Sequence, residues 1–198
     1  KVALNASTIT DSFWKELIIE HIKVENVEAW HNFYPRPETG LAKSFLQKQN
    51  AYLHECGIKT MAFIPGDGEK RGPLCEGLPT LEKHRNMRPL EAYLELVQDC
   101  GVDKVLIGDI SGSVESVQEI ASASRGIIPL RYEPLIEKSE VLKMVEQVHT
   151  NRLDPARDVI RSVESREENK VVLQPMHTIA RKKGSITIDN ELYGRYAG

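Results

Sequence analysis

Residues 2–125 repeat one pattern four times, and this repeat constrains the fold more than any other feature of the sequence. Each unit is a short apolar run, then a loop rich in Gly, Pro or Asn, then a segment with apolar residues at helical spacing. The apolar runs are 2–4, 27–33, 60–64 and 104–107. When strands alternate with helices, the strands pair in parallel and the helices form right-handed crossovers between them. The result is either an open doubly wound sheet or a (β/α)8 barrel. We therefore predict an α/β domain over residues 1–125.

The pattern changes after residue 125, and we predict a second, β-rich domain over residues 126–198. Strand-like runs occur at 127–132, 171–173 and 185–188, with one helical stretch near 140–147. The end of the chain again places polar and aromatic groups after a predicted strand, and Arg195 is a candidate binding residue there. The alternative for this segment is a simple hairpin turn at Asp189-Asn190.

Charge and hydropathy exclude several function classes. The formal net charge is −3, and Lys and Arg are scattered singly, so the chain lacks the basic surface expected for nucleic acid or an acidic membrane. No apolar run approaches the roughly 20 residues needed to span a bilayer, and no basic-then-apolar leader begins the chain. We expect a soluble, cytoplasmic protein. Because apolar residues begin directly after Lys1, we also expect it to be part of a longer chain.

Neither a metal nor an organic cofactor is predicted. Cys56, Cys75 and Cys100 lack metal-type spacing and are typical of reduced thiols in a cytoplasmic protein. Gly66-Asp67-Gly68 lacks the third glycine of a dinucleotide-binding loop.

Functional-looking side chains collect directly after the predicted strands, most densely in His31-Asn32-Phe33-Tyr34-Pro35-Arg36-Pro37-Glu38-Thr39-Gly40. The two prolines forbid a helix there and stiffen the loop. Both candidate architectures place ligand sites at the carboxyl ends of parallel strands. The candidate ligand-pocket residues are Asn5, His31, Asn32, Tyr34, Arg36, Glu38, Asp67 and Asp109. The alternative for the proline segment is a connector with incidental polar residues.

Several longer motifs resemble one known family. They are Leu4-Asn5-Ala6-Ser7-Thr8, residues 31–40, Ala62-Phe63-Ile64-Pro65-Gly66, Arg71-Gly72-Pro73 and residues 77–85, with Ile107-Gly108-Asp109 and residues 184–196 as weaker additions. With these motifs the sequence resembles the bacterial 6-phospho-N-acetylmuramidases along nearly its whole length.

This resemblance implies a (β/α)8 TIM barrel followed by a small cyclophilin-like domain. Leu4, His31, Phe63 and Ile107 would mark barrel strands five to eight, so we expect strands one to four and the last part of the second domain to be absent. The implied activity is hydrolysis of the phosphodisaccharide 6-phospho-N-acetylmuramyl-β-1,4-N-acetylglucosamine. Its products would be N-acetylmuramic acid 6-phosphate and N-acetylglucosamine, formed during cytoplasmic recycling of peptidoglycan.

Glycoside hydrolysis usually needs two carboxyl groups, and Glu38 and Asp109 are the catalytic candidates. Glu38 could instead complement the dipole of the helix that follows it, and Asp109 could simply cap the turn at Ser111-Gly112. Two further alternatives stay open. The acetamido group of the substrate could attack the anomeric carbon, so that the protein would need to supply only one acid. The absent half of the barrel could also supply one of the two acids.

Phosphate recognition needs cations or backbone donors, and barrels often place that site after strands seven and eight. The loop that follows the third predicted strand carries Lys70, Arg71, Lys83, His84 and Arg85. We favour Arg71, because the following Gly72-Pro73 allows close approach of the backbone, and assign Arg36 to the lactyl carboxylate of muramic acid. His31 and His84 are expected to form hydrogen bonds to the substrate. A solvated surface charge is the alternative for each cation.

Two other function classes remain open at this point. One is another barrel enzyme acting on sugar phosphates, such as an isomerase or an aldolase. An aldolase would need a buried lysine at the carboxyl end of a strand, whereas Lys59 and Lys104 lie at strand starts. The other is a carbohydrate-binding protein without turnover. The sequence does not predict the oligomeric state.

Overall fold

The computed structural model describes residues 1–165 and 172–197. The chain divides into two compact units, Lys1–Pro129 and Leu130–Gly198. The strands of the first unit are β1 (Val2–Asn5), β2 (Val27–Trp30), β3 (Lys59–Ile64) and β4 (Lys104–Ile107). Its α-helices are α1 (Asp11–Ile19), α2 (Lys43–Glu55), α3 (Pro89–Leu94) and α4 (Val114–Ala123). Short 3-10 turns occupy Ala6–Thr8, Val24–Asn26 and Glu82–His84, and a π-helical turn, Glu95–Asp99, continues α3.

The four strands are parallel and lie in the sequential order β1-β2-β3-β4. This confirms the predicted parallel α/β sheet. A doubly wound sheet reverses its strand order at a switch point, whereas this order runs in one direction. Because the strands are parallel, the loops that follow them all emerge at one edge, which we call the carboxyl edge. It begins after Asn5, Trp30, Ile64 and Ile107.

The helices pack against one face of the sheet through small strand residues. Ala62 of β3 is fully buried in one apolar cluster with Leu46 of α2. Ala29 of β2 is fully buried in a second cluster with Trp14 of α1 and Leu53 of α2. Removing a leucine side chain of this kind from water contributes about 1.5–3 kcal/mol, so these contacts anchor the strand ends from which the loops start.

The opposite face of the sheet is more polar and more exposed. Lys104 of β4 donates to Glu28 of β2 (2.6 Å), and this ion pair spans the central strand β3 beside Met61. On the same face Trp30 and Leu106 are 40% and 44% exposed. An ion pair and exposed large apolar groups therefore share the face that the helices leave uncovered.

The second unit corrects the prediction of a β-rich domain. Within residues 130–165 and 172–197 it contains no β-strand, and its regular elements include helix α5 (Ser139–Val145), a 3-10 segment (Glu191–Tyr196) and one isolated antiparallel bridge between Asn151 and Ser162. Helix α5 overlaps the predicted helical stretch near 140–147. The predicted strands 127–132 and 185–188 are irregular, and residues 172–173 form no strand. Val171 lies outside the described residues.

The failed strand prediction has a packing reason. A strand forms where its backbone pairs with a neighbour and alternate side chains reach a core. Here Ile128, Leu130 and Ile186 are 45%, 70% and 49% exposed, and Pro129 removes a backbone donor. Short apolar runs in this part of the sequence therefore indicate neither pairing nor burial.

The longest described helix, α2, has 13 residues. In the described ranges of the chain, no helix combines the length and the apolar character needed to cross a membrane.

Candidate functional site at the carboxyl edge

The loops after β2 and β3 are joined by an extended segment, residues 79–81. The Leu41 N–H donates to the Thr80 carbonyl (2.9 Å), and Leu41 pairs with this segment as an isolated parallel bridge. The buried Thr80 hydroxyl donates to the Asn32 carbonyl (2.9 Å) and accepts from the Phe63 N–H (2.9 Å). Since these bonds tie both loops to the end of β3, the two loops form one connected wall.

Asp109, a catalytic candidate, joins the loops after β3 and β4. Its side chain is fully buried, and its Oδ2 accepts from the N–H groups of Gly66 (2.9 Å) and Leu78 (3.3 Å). Its Oδ1 accepts from the Arg71 N–H (3.2 Å), and Lys70 Nζ lies 3.6 Å from Oδ2. Backbone donors therefore surround this carboxylate, which organises the loop after β3. Its catalytic role stays a prediction.

Asp67, a binding candidate, lies at the N-terminus of α4. It accepts from the Ser113 N–H (2.7 Å), the Ser113 hydroxyl (2.8 Å) and the Ser116 hydroxyl (2.7 Å). Burial raises the pKa of Asp67, but these hydrogen bonds outweigh burial and lower the pKa to about 2. The carboxylate thus supplies the negative charge that a helix N-terminus favours, in the place where a bound anion would otherwise lie.

Glu38, the other catalytic candidate, lies on an exposed turn of the loop after β2. Its φ of 70° is in the left-handed region, which is unusual for a residue with a side chain. The Thr39 N–H closes the turn onto the Arg36 carbonyl (3.3 Å), and the Gly40 N–H donates to Glu82 (2.8 Å). The Glu38 carboxylate contacts no hydrogen-bond or ion-pair partner in the part of the chain that the structure describes, so it is open to a ligand.

Arg71 lies against the loop that carries Glu38. Its guanidinium carbon is 5.9 Å from the centroid of the Phe33 ring, and Phe33 in turn contacts Phe63 edge to face, with centroids 5.2 Å apart. The Arg71 side chain is exposed and pairs with no carboxylate among the described residues. It is therefore a cation held beside an aromatic ring at the carboxyl edge and available to an anionic ligand.

His31 lies on the helix side of the sheet rather than on an open surface. It is 1% exposed, and its Nε2 lies 2.7 Å from Asn50 Oδ1. Since Asn50 Nδ2 donates to the Cys100 carbonyl (2.7 Å), Asn50 Oδ1 is an acceptor and His31 donates from Nε2. Burial lowers the pKa of His31, and the Asn50 hydrogen bond opposes this only in part. The structure places His31 in a buried network that links β2 to α2.

His84 is also enclosed. It is fully buried, with its Nε2 lying 2.8 Å from Glu95 Oε2, and burial lowers its pKa despite that carboxylate. Glu95 also accepts from Lys43 (2.8 Å) and Lys83 (2.7 Å). Burial raises the pKa of Glu95, but the bonds from these three partners lower it to about 2. His84 and Lys83 thus belong to an ion-pair cluster beneath the loop after β3.

The remaining candidates have mixed placements. Asn5 is exposed and caps the Ala6–Thr8 turn, accepting from the Ser7 N–H (3.0 Å). Asn32 and Arg36 have exposed side chains, and Tyr34 is half-buried. Arg195 belongs to the second unit, where its guanidinium donates to the Tyr196 hydroxyl (2.7 Å) and lies 4.9 Å from that ring centroid.

The sequence pattern predicted no site role for Glu82, and it indicated Arg85 only as one of several cations in the loop after β3. Arg85 is 8% exposed and donates to Glu82 through both Nε (2.6 Å) and Nη2 (2.7 Å). Arg85 first, then the N–H groups of Glu38 and Gly40, lower the pKa of Glu82 to about 2 against the effect of burial. The spacing of Glu82 and Arg85 on a 3-10 turn was the available signal, because residues three apart face the same side of such a turn.

The arrangement combines an unpaired acid, an unpaired guanidinium and aromatic rings on connected loops. No group of three or more His, Cys, Asp or Glu side chains in residues 1–165 and 172–197 is arranged to hold a metal ion. An acid able to transfer a proton, on a loop that a cation able to bind an anion contacts, suits chemistry on a small anionic substrate.

Fold and site thus define a parallel α/β protein with its candidate site at the carboxyl edge. A family model described as 6-phospho-N-acetylmuramidase, N-terminal, matches residues 1–122, and one described as 6-phospho-N-acetylmuramidase, C-terminal, matches residues 128–198. The chain belongs to the 6-phospho-N-acetylmuramidase family.

Two solved structures of similar proteins cover the whole chain. One is a conserved protein of unknown function from a locus in Enterococcus faecalis, with 43% identity and a TM-score of 0.85. The other is an uncharacterized B. cereus protein, with 26% identity and a TM-score of 0.81. Our chain spans 54% and 58% of those two chains. No curated protein matches the sequence.

Proposed function

We propose that the protein to which this chain belongs hydrolyses the β-1,4 bond of 6-phospho-N-acetylmuramyl-N-acetylglucosamine. The products would be N-acetylmuramic acid 6-phosphate and N-acetylglucosamine, formed in the cytoplasm during recycling of peptidoglycan. Family membership over both parts of the chain supports a glycosidase of this kind. The observation that carries the proposal is the contact of unpaired Arg71 with the loop that presents unpaired Glu38.

In this proposal Glu38 donates a proton to the leaving oxygen. The bond between the anomeric carbon of the muramyl sugar and O4 of N-acetylglucosamine breaks, and O4 takes the proton. Water supplies the hydroxyl at the anomeric carbon, and the proton that this water loses returns to the Glu38 carboxylate. A proton donor must reach the substrate, and the exposed side chain of Glu38 meets that requirement better than the enclosed carboxylate of Asp109. Asp109 then serves to shape the loop that carries Arg71.

Arg71 is the proposed ligand of the 6-phosphate. A guanidinium forms two parallel hydrogen bonds with phosphate oxygens, which gives both affinity and orientation. The Phe33 ring beneath it restricts its position. Arg36, exposed on the loop after β2, is proposed to bind the lactyl carboxylate.

If the reaction retains the anomeric configuration, the second group is proposed to be the acetamido oxygen of the substrate or an acid elsewhere in the longer protein. Either source leaves a single proton donor to this chain. The other predicted contacts, from Asn5, Asn32, Tyr34, Asp67 and Arg195, remain proposals.

We also propose that the four-stranded sheet is one half of a (β/α)8 barrel. The sequential order of the parallel strands and the packing of helices on one face support this. For residues 128–198, a cyclophilin-like domain in the longer protein is proposed from the family resemblance alone.

Incubation of the full-length protein with the 6-phosphorylated and the unphosphorylated disaccharide, followed by mass spectrometry, tests the proposal. We expect cleavage of the phosphorylated substrate only. Equal turnover of both would contradict a phosphate-specific site. Binding without cleavage would favour the non-catalytic carbohydrate-binding alternative.

A further inference from the structure

The Glu82 carboxylate holds the backbone on both sides of the turn that carries Glu38. Its Oε2 accepts from the Gly40 N–H (2.8 Å), and the Glu38 N–H also interacts with it. The approach is close, because a Cβ on Gly40 would lie 2.6 Å from the Glu82 nitrogen. Any side chain at position 40 would therefore separate the turn from its anchor.

Arg85 fixes Glu82 and the same turn together. It forms a bidentate pair with Glu82, and its Nη2 also donates to the carbonyls of Tyr34 (3.0 Å) and Arg36 (3.1 Å). Its side chain is 6% exposed, which keeps the guanidinium in one place. The pair thus contacts backbone N–H groups on one side of Glu38 and backbone carbonyls on the other.

These contacts maintain an unusual backbone conformation. A residue with a side chain at a φ of 70° costs of order 1–3 kcal/mol and persists only where its surroundings hold it. The surroundings of Glu38 are the Glu82 and Arg85 groups, since its own side chain extends into solvent.

We propose that Glu82 and Arg85 are positioning residues that set the location of the Glu38 carboxylate for proton transfer. This inference rests on the proposed function, in which Glu38 is the proton donor. The pair acts through the backbone of the turn and does not touch the substrate. Its loss displaces Glu38 and lowers kcat, while the Arg71 contact to phosphate persists.

Steady-state kinetics of the full-length protein with the phosphorylated disaccharide tests this through Glu82→Gln, alone and combined with Glu38→Gln. Gln keeps one acceptor for the turn but loses the charge and the bidentate pair with Arg85. We expect a fall in kcat of roughly 10- to 100-fold with little change in KM. In the Glu38→Gln background the same change is expected to lower kcat by less than about 2-fold, because coupled residues are non-additive.

Glu119→Gln is the matched control. Both carboxylate oxygens of Glu119, on α4, accept from Nη2 of Arg88 (3.1 Å each), the residue that precedes α3. This Arg-Glu pair lies outside the turn. We expect it to leave kcat nearly unchanged. An equal fall in kcat for Glu82→Gln with and without Glu38 would overturn the inference and leave the proposed function intact.

Hydrogen exchange of residues 34–41 gives a readout independent of activity. Glu82→Gln, and Arg85→Lys as a second variant should the first fail to fold, are expected to speed exchange at the amides of Glu38 and Gly40 but not in α4. Unchanged exchange at these amides would overturn the inference whatever the kinetics. Failure of the unmodified protein to cleave the disaccharide would overturn the proposed function and this inference with it.

Discussion

Acidic residues have opposite roles in two regions of the carboxyl edge. One region is the turn at residues 36–40, and the other is the contact between the loops that follow β3 and β4. At the loop contact, Asp109 and Asp67 accept hydrogen bonds from backbone and serine donors and close one loop on another. At the turn, the backbone is held by Glu82 and the Glu38 carboxylate itself is left without a partner.

One edge of the sheet therefore carries both acids enclosed by hydrogen-bond donors and an acid whose side chain is open. An anion that accepts several hydrogen bonds is stabilised in its charged form and is a poor proton donor. An anion on a fixed backbone with an open side chain can meet a substrate. If the two regions differ in this way, substitutions at the turn should lower kcat and substitutions at the loop contact should lower stability.

The largest effect is expected at the turn. Glu38→Gln keeps the size of the side chain but cannot transfer a proton, so kcat should fall by roughly 10²–10⁴-fold with little change in KM. The melting temperature should barely move, because the side chain is exposed. Were Glu38 only a helix-dipole residue, kcat would stay near normal and stability would fall by about 0.3–1 kcal/mol.

Asp109→Asn should reverse that pattern by affecting stability first. The Asn side chain has one acceptor oxygen, and its NH2 group is a donor. That NH2 group would face an N–H group of Gly66, Leu78 or Arg71, which is also a donor. A buried group left unsatisfied costs about 1–3 kcal/mol, which a urea unfolding curve can measure. A stable variant with a greatly reduced kcat would instead identify Asp109 as the acid that reacts.

Arg71→Ala should weaken substrate binding. One lost charge-assisted hydrogen-bonding group is worth about 1.5–3 kcal/mol, so KM for the phosphorylated disaccharide should rise by roughly 10- to 100-fold. Lys48→Ala, which removes an exposed charge from α2, is the control and should leave KM unchanged. An unchanged KM for Arg71→Ala would remove this residue from the phosphate site.

The smallest effect is expected in acid. The pKa of Asp67 is lowered to about 2 in the folded protein, below its unfolded value of about 3.9, so the unfolded chain binds more protons between these values. The stabilisation is therefore present at pH values well above the unfolded pKa and is lost as the pH falls toward 2. Asp67→Asn should flatten the dependence of unfolding free energy on pH in this window. An identical slope in both proteins would contradict the assigned hydrogen bonds.

Local sequence signals predicted the first unit well. Pro89 opens α3 and Gly101, with a φ of 65°, follows the π-helical turn, as a terminal proline and glycine indicate. The same signals failed after residue 125, where apolar runs such as 127–132 lie largely exposed. The spacing of apolar residues predicts which side chains can share a face. A strand also needs a neighbouring strand to pair with, and the local sequence does not show whether one is present.

The amino-acid sequence was sufficient to predict the alternation of strands and helices, the parallel sheet and the collection of polar residues after the strands. These follow from short-range propensity and spacing. Only the tertiary structure decided which acids are enclosed and which is open. The partners of Asp109 lie 31 to 43 residues away along the chain, and Arg85 reaches carbonyls 49 and 51 residues away. The ionisation and accessibility of a carboxyl group depend on the donors that folding brings to it, and those donors are set by the packing of whole loops.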